Sequence, residues 1–176
     1  MKRTVCLILV LLLLGSLLGC HYSENGDILE PVEFFYPRRS GQYVYGAEDG
    51  VIAAELREAS GHTGDLNYLL SMYLRGPQDK NLRSPFPAGC KLEEVRFDGN
   101  TICIVLSGEF TALENTELTL ACASIAKTGL SLSGAQWVRI NAASDEKTFA
   151  ITLDADSLLL ADYSAFEAQS VTEEPQ

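Results

Sequence analysis

Apolar residues in this chain first crowd together, then alternate, then recur at every third or fourth position, and each regime predicts a different element. Leu7 to Leu14 is an uninterrupted apolar run behind Lys2 and Arg3, the pattern of a secretory leader. A helix that spans a membrane needs about 20 apolar residues. From Val32, the stretch Val-Glu-Phe-Phe-Tyr36 is aromatic and β-branched and stops at Pro37, which predicts a first strand. Arg38 to Gly41 reads as a turn and Tyr43-Val44-Tyr45 as the start of a further strand. Val51 to Glu58 carries two patterns. Ala53-Ala54-Glu55-Leu56 has helix propensity, while Ile52, Ala54 and Leu56 alternate with Glu55 and Arg57, and the alternation favours a strand.

A helical period follows. Leu66, Leu69, Leu70, Tyr73 and Leu74 form an amphipathic stripe, which predicts a helix over Asp65 to Arg75 with Thr63 or Asp65 as its N-cap and Gly76-Pro77 as its stop. Gln78 to Lys91 is a polar, Pro-rich loop. Leu92 to Phe97 and Thr101 to Leu106 flank Asp98-Gly99-Asn100, a strong hairpin signal, with Leu92, Val95 and Phe97 directed to the core. The second of these strands is apolar on both faces, as a central strand would be. Thr111 to Glu114 has capping-box spacing. Leu118, Cys122, Ile125 and Ala126 mark a second helix ending around Lys127 to Gly129. Ala135 to Ile140 and Lys147 to Leu153 close the pattern as a hairpin, with Phe149, Ile151 and Leu153 inward.

The order β-β-α-β-β-α-β-β predicts a small α+β domain, two helices packed on one face of a mixed or antiparallel sheet. It occupies residues 31–160. Residues 1–19 read as the leader, 20–30 as a polar tether, and 161–176 as a polar tail.

Leu17-Leu18-Gly19-Cys20 looks like a bacterial lipobox, which would make Cys20 the lipidated residue and hold the chain on the outer face of a membrane. The competing readings are an uncleaved signal anchor and a plain secretory signal cut elsewhere. The chain carries 13 basic and 24 acidic residues, a formal charge of −11. Loss of Lys2 and Arg3 with the leader leaves 11 basic against 24 acidic residues, −13. Such a charge argues against nucleic acid and against an electrostatic grip on anionic lipid. Cys90, Cys103 and Cys122 form neither a CxxC pair nor a disulfide framework, and the apolar surroundings of Cys103 and Cys122 predict core positions.

Tyr73-Leu74-Arg75-Gly76-Pro77 closing a helix, then Pro87-Ala88-Gly89-Cys90-Lys91-Leu92 entering a hairpin, then Val95, Asp98-Gly99, Val105-Leu106-Ser107 and the Ala-rich stretch from Leu118 to Thr128 together resemble the GerMN domain of sporulation and spore germination proteins. Cys90 stands where that family usually has Thr. The resemblance covers about Pro31 to Ala142. It implies an exported lipoprotein of a spore-forming bacterium, a topology similar to ring-building modules, and no catalytic residues. Gly76, Pro77, Pro87 and Gly89 carry its motifs. Read from their chemistry they are architectural, glycines for unusual backbone angles and prolines for stiffness, with partner contact as the other role of such a loop.

Candidate chemistry is sparse. The histidines are His21, beside the lipid site, and His62, in a Ser-Gly-His loop without a nucleophile elbow. Asp154 with Asp156 and Asp145 with Glu146 are paired carboxylates of the kind that serve acid/base work or bind a cation, and in so acidic a chain they read as solvated surface. Trp137, Tyr36, Tyr43 and Tyr45 could stack on sugar rings, though strand packing accounts for them as well. The expectation is therefore a non-enzymatic assembly or binding module with no catalytic set, metal or cofactor. Its partners would be the membrane through the Cys20 anchor, envelope proteins or peptidoglycan, and a weak homo-oligomer.

Overall fold

The computed structural model describes residues 30–42, 50–59 and 61–161. The leader, Cys20, the tether, the strand start expected at Tyr43 to Tyr45, and the tail beyond 161 lie outside the described residues. Strands β1 (Pro31–Pro37) and β2 (Ile52–Glu58) are followed by helix α1 (Leu66–Leu74). After them come β3 (Leu92–Asp98), β4 (Thr101–Leu106), helix α2 (Asn115–Ser133), β5 (Trp137–Ala143) and β6 (Thr148–Leu153), with a 3-10 turn over Asp156–Ala161.

The α+β class and the order of strands and helices are those the periodicity predicts. The strands divide between two sheets. β1 and β2 form an antiparallel pair, and β3-β4-β5-β6 form a second sheet in that order. Within the second sheet β4 and β5 run parallel while the outer pairings are antiparallel. Helix α2 is the wall that both sheets share. The Phe35 amide of β1 donates to Thr128 Oγ1 at 2.9 Å, while Gly129, on the same helix, lies against Val138 of β5 and Ile104 of β4. That face of the sheet is buried through Ile102, Ile104 and Leu106 of β4 and Val138, Ile140 and Ala142 of β5, each large aliphatic contributing about 1.5–3 kcal/mol. Phe149, Ile151 and Leu153 of β6 pack onto it, as expected.

Three local expectations are corrected. Helix α2 does not stop near Gly129 but runs to Ser133 and caps on Gly134 at φ 64°. Gly129 serves close packing instead, because a Cβ there would meet Val138 Cγ2 at 3.0 Å. Thr111 heads no capping box: its hydroxyl donates to Gly108 O inside a 3-10 turn, and Glu114, the N-cap of α2, makes no side-chain cap bond. Phe97 is 53% exposed rather than core. It lies near the far end of edge strand β3, whose register slips between Leu92 and Glu94. Leu92 and Val95 do reach the core.

Helix α1 begins at Asp65, whose carboxylate accepts the Tyr68 amide at 3.0 Å, so Asp65 rather than Thr63 is its cap. Its stripe buries Leu69, Leu70 and Tyr73. Tyr73 sits in an aromatic cluster, 5.6 Å from Phe34, 4.8 Å from Tyr36 and 5.2 Å from Phe86 between ring centroids. Its hydroxyl donates to Phe35 O at 2.7 Å, and its own carbonyl accepts the Tyr36 hydroxyl at 3.0 Å.

Candidate functional site

Among the described residues, the loop between α1 and β3 is heavily braced, and its bracing begins on β2. Arg75 closes the helix, and Gly76 turns the chain away at φ 87°, an angle that strains residues with a Cβ. The Glu55 carboxylate accepts the next two free amides, from Gln78 at 2.8 Å and Asp79 at 2.7 Å. Arg57 Nη1 donates to Gly76 O at 3.2 Å and to Glu55 Oε1 at 2.9 Å. The side chains of Glu55 and Arg57 are each only 10% exposed. The two residues that give β2 its polar alternation thus form a shielded clamp on the Gly76-Pro77 turn. This role was invisible in the sequence, where both read as ordinary outward-facing positions.

Further along, the loop is tied to other elements. Arg39 binds it twice, its amide donating to Asn81 O and its Nε to Lys80 O, each at 2.9 Å. The Arg83 amide donates to Pro37 O at 2.9 Å, and its guanidinium pairs with Glu117 on α2. Leu82 and Pro85 are buried, and Phe86 packs edge-on against Tyr73. Pro87 O accepts the Cys90 amide at 3.2 Å, with Gly89 between them at φ 86°. Lys91 and Ser107 then join through a bond from each backbone amide, 2.9 Å to Ser107 Oγ and 3.0 Å to Lys91 O. Gly76, Pro77, Pro87 and Gly89 therefore lie in one continuous loop at its two bends. The Ser107 hydroxyl donates to Glu109, which holds that carboxyl below its ordinary value.

Breaking the clamp has a measurable cost. Glu55→Ala removes the charged acceptor of two amides in an exposed turn and leaves the shielded Arg57 guanidinium without its carboxylate, and a loss of about 1–3 kcal/mol is expected in urea melts. Earlier proteolytic cutting within 76–91 should accompany it, with Glu55→Gln intermediate. Unchanged melting and cutting would mean that the clamp does not restrain the loop.

The remaining candidates are dispersed. His62 is exposed and stacks on Tyr68 with centroids 4.1 Å apart. Asp154 accepts the Ser157 amide at 2.8 Å and the Ser157 hydroxyl, and these bonds hold its carboxyl below the ordinary value. Asp156 opens the 3-10 turn, and Asp145 with Glu146 are exposed. Tyr36 is fully buried, whereas Trp137 is 41% exposed and borders an open cleft of about 400 Å³ with Gln136, Asp154 and Asp156. A second, apolar groove of about 280 Å³ runs between α2 and β6, lined by Leu118, Cys122, Ile151, Leu153 and Leu158, with Val51 and Ile52 at the start of β2. Among the described residues no group of three or more His, Cys, Asp or Glu side chains is placed to hold a metal ion. None of the described helices is long and apolar enough to cross a membrane.

Burial raises two thiols and two tyrosine hydroxyls above their ordinary values. It pushes the thiol of Cys90 up to about 11 and that of Cys122 up to about 12, and raises Tyr36 and Tyr73 above the ordinary tyrosine value. Each group is raised in the fold, so the unfolded chain releases these protons first. Stability is then full below about pH 9 and falls as pH climbs toward 11. Urea midpoints should be lower at pH 10.5 than at pH 8, and a flat profile would contradict the burial of the aromatic cluster.

Comparison with known proteins adds a family match. The sequence profile described as "Germane: Sporulation and spore germination" matches residues 35–148, well over half of the 176-residue chain. No curated protein gives a significant match. Two solved structures are similar at low identity. One holds the tandem GerMN domains of the sporulation protein GerM from Bacillus subtilis, at 13% identity and a TM-score of 0.47, covering 76% of this chain and 47% of that one. The chain thus spans about half the length of that structure. The other is a crystal structure of a candidate lipoprotein from Clostridium perfringens, at 17% identity and a TM-score of 0.43, covering 80% of this chain and 96% of that one.

Proposed function

Because this chain belongs to the Germane family of sporulation and spore germination, we propose that it is a lipid-anchored module on the outer face of a membrane. There it assembles with or binds other envelope components and turns over no substrate. The observation that carries this reading is the braced loop inside the matched span. Its Gly and Pro bends and the Glu55–Arg57 clamp fix a long surface segment in one conformation. A segment ordered in advance loses little freedom when a partner docks, which suits a binding surface. Anchoring rests on Leu17-Leu18-Gly19-Cys20 behind the apolar leader. Tethering to a surface raises effective concentration, so contacts too weak for micromolar solution act there, homo-oligomeric ones included.

The test is in-cell crosslinking of the full chain in sporulating bacteria, with a parallel assay on purified peptidoglycan. Specific protein crosslinks that fail on disruption of the Glu55 clamp are expected, with no muropeptide release. Release abolished by His62→Ala, or by joint substitution of Asp154 and Asp156, would replace this reading with a hydrolase. A second reading, a glycan- or small-ligand-binding lipoprotein, is favoured by the exposed Trp137 ring beside Gln136 and Asp154. Retention on glycan without release, lost in Trp137→Ala, would select it.

A further inference from the structure

We infer that the outer edge of β6 is a self-association surface on which a second copy of this chain adds its own β6 antiparallel, centred on Ile151. The inference deepens the assembly reading and rests on it. Among the described residues β6 pairs with β5 alone, so the backbone groups of its other edge point outward. Sheet edges are normally guarded against strand addition by charge, proline or a bulge. β3, at the opposite edge of the same sheet, has all but the proline: Glu93, Glu94, Arg96 and Asp98, and a register slip at Glu93. β2 carries Glu55, Arg57 and Glu58. β6 reads Thr-Phe-Ala-Ile-Thr-Leu, with no charge, no proline and no slip in its register.

The sequence of that edge complements itself. Strand pairing across a two-fold axis must keep each side chain on its own face of the sheet. Centring on Ile151 does so, setting Phe149 opposite the second copy's Leu153 on the apolar face and Ala150 opposite its Thr152 on the solvent face. Both kinds of pair are compatible cross-strand neighbours. The apolar groove beside Ile151 and Leu153 continues the face that would be covered. Lys147, just before the strand, arrives at the end of the second copy's strand, where Asp154 and Asp156 stand, and the axis repeats this contact, with Asp145 and Glu146 beside it. On a chain of net charge −11, a strand that itself carries no charge is where two copies can approach.

The experiment uses the full chain in membranes of the producing cell. Ile151→Cys, placed on the axis, should give a disulfide-linked dimer under mild oxidation, and Thr63→Cys, on an exposed loop away from the edge, should not. Ala150→Lys with Thr152→Lys puts like charges opposite one another at exposed positions and should lower the dimer fraction about fivefold or more. The matching Ala150→Glu with Thr152→Glu should do the same. Co-expression of the Lys and Glu variants should restore crosslinking, an outcome that misfolding cannot produce. Crosslinking at Ile151 that ignores these charges, or fails to recover in the mixed pair, overturns the edge. Self-association through another surface, or crosslinks to other envelope proteins alone, also overturns it while leaving the assembly reading intact.

Discussion

Tyr73→Ala is expected to destabilise the domain by about 3–5 kcal/mol, the range for truncating a fully buried aromatic residue. Tyr73 touches three structural units at once. Its ring packs on Phe34 and Tyr36 of β1 and on Phe86 of the braced loop, and its hydroxyl donates to Phe35 O. Removing the side chain therefore opens a cavity at the junction of α1, β1 and the loop, and leaves the Phe35 carbonyl without that donor. Tyr73→Phe separates the two effects. It keeps the packing and loses the hydroxyl's hydrogen bonds, to Phe35 O and with Thr128, about 1 kcal/mol each. Denaturant melts of the two variants measure both, and a loss under 1 kcal/mol for Tyr73→Ala would mean that the cluster does not hold the hairpin to the helix.

Cys20→Ala is expected to abolish acyl labelling and to leave an unprocessed precursor in place of the mature protein. The thiol is the only group at the end of the leader that can take a diacylglyceryl chain as a thioether, and alanine offers no substitute. Each buried methylene contributes about 0.8 kcal/mol to membrane partition, so loss of the acyl chains removes most of the attachment. Labelled fatty acid incorporation and the mature N-terminus are the readouts. Persistent labelling of the variant, or a mature wild-type N-terminus elsewhere, would sink the anchor.

Much of the fold was legible because it rests on periodicity. The stripe from Leu66 to Leu74 buries Leu69, Leu70 and Tyr73, and Phe149, Ile151 and Leu153 pack against the core half-buried, on the face that their alternation promised. Asp98-Gly99 between apolar runs gave the hairpin. The division into two sheets was not legible, because periodicity states which face of a strand is buried but not which neighbour buries it. Gly129 misled for a related reason: close helix–sheet contact and helix termination call for the same residue, and only the position of Val138 separates them. In the loop, Gly76 and Gly89 announced their backbone angles. Glu55 and Arg57 did not announce their grip on Gly76, Gln78 and Asp79, since a polar residue on an alternating strand looks the same whether it meets water or a distant turn.

The shared wall formed by α2 sets an order of events when the chain folds. Phe35 and Thr128 are 93 positions apart, yet the amide of one is satisfied by the side chain of the other. The β1-β2 hairpin, two strands alone, is marginal in water until that helix is present. Long-range closure of this kind slows folding. Phe35 and the start of β2, Val51 and Ile52, would wait uncovered until α2 brings Leu120 against them, the interval in which a holding chaperone or an aggregating neighbour has its chance. Once α2 docks, both sheets close on it together. Amide protons of the hairpin and of β4 and β5 should then exchange with solvent through a common opening.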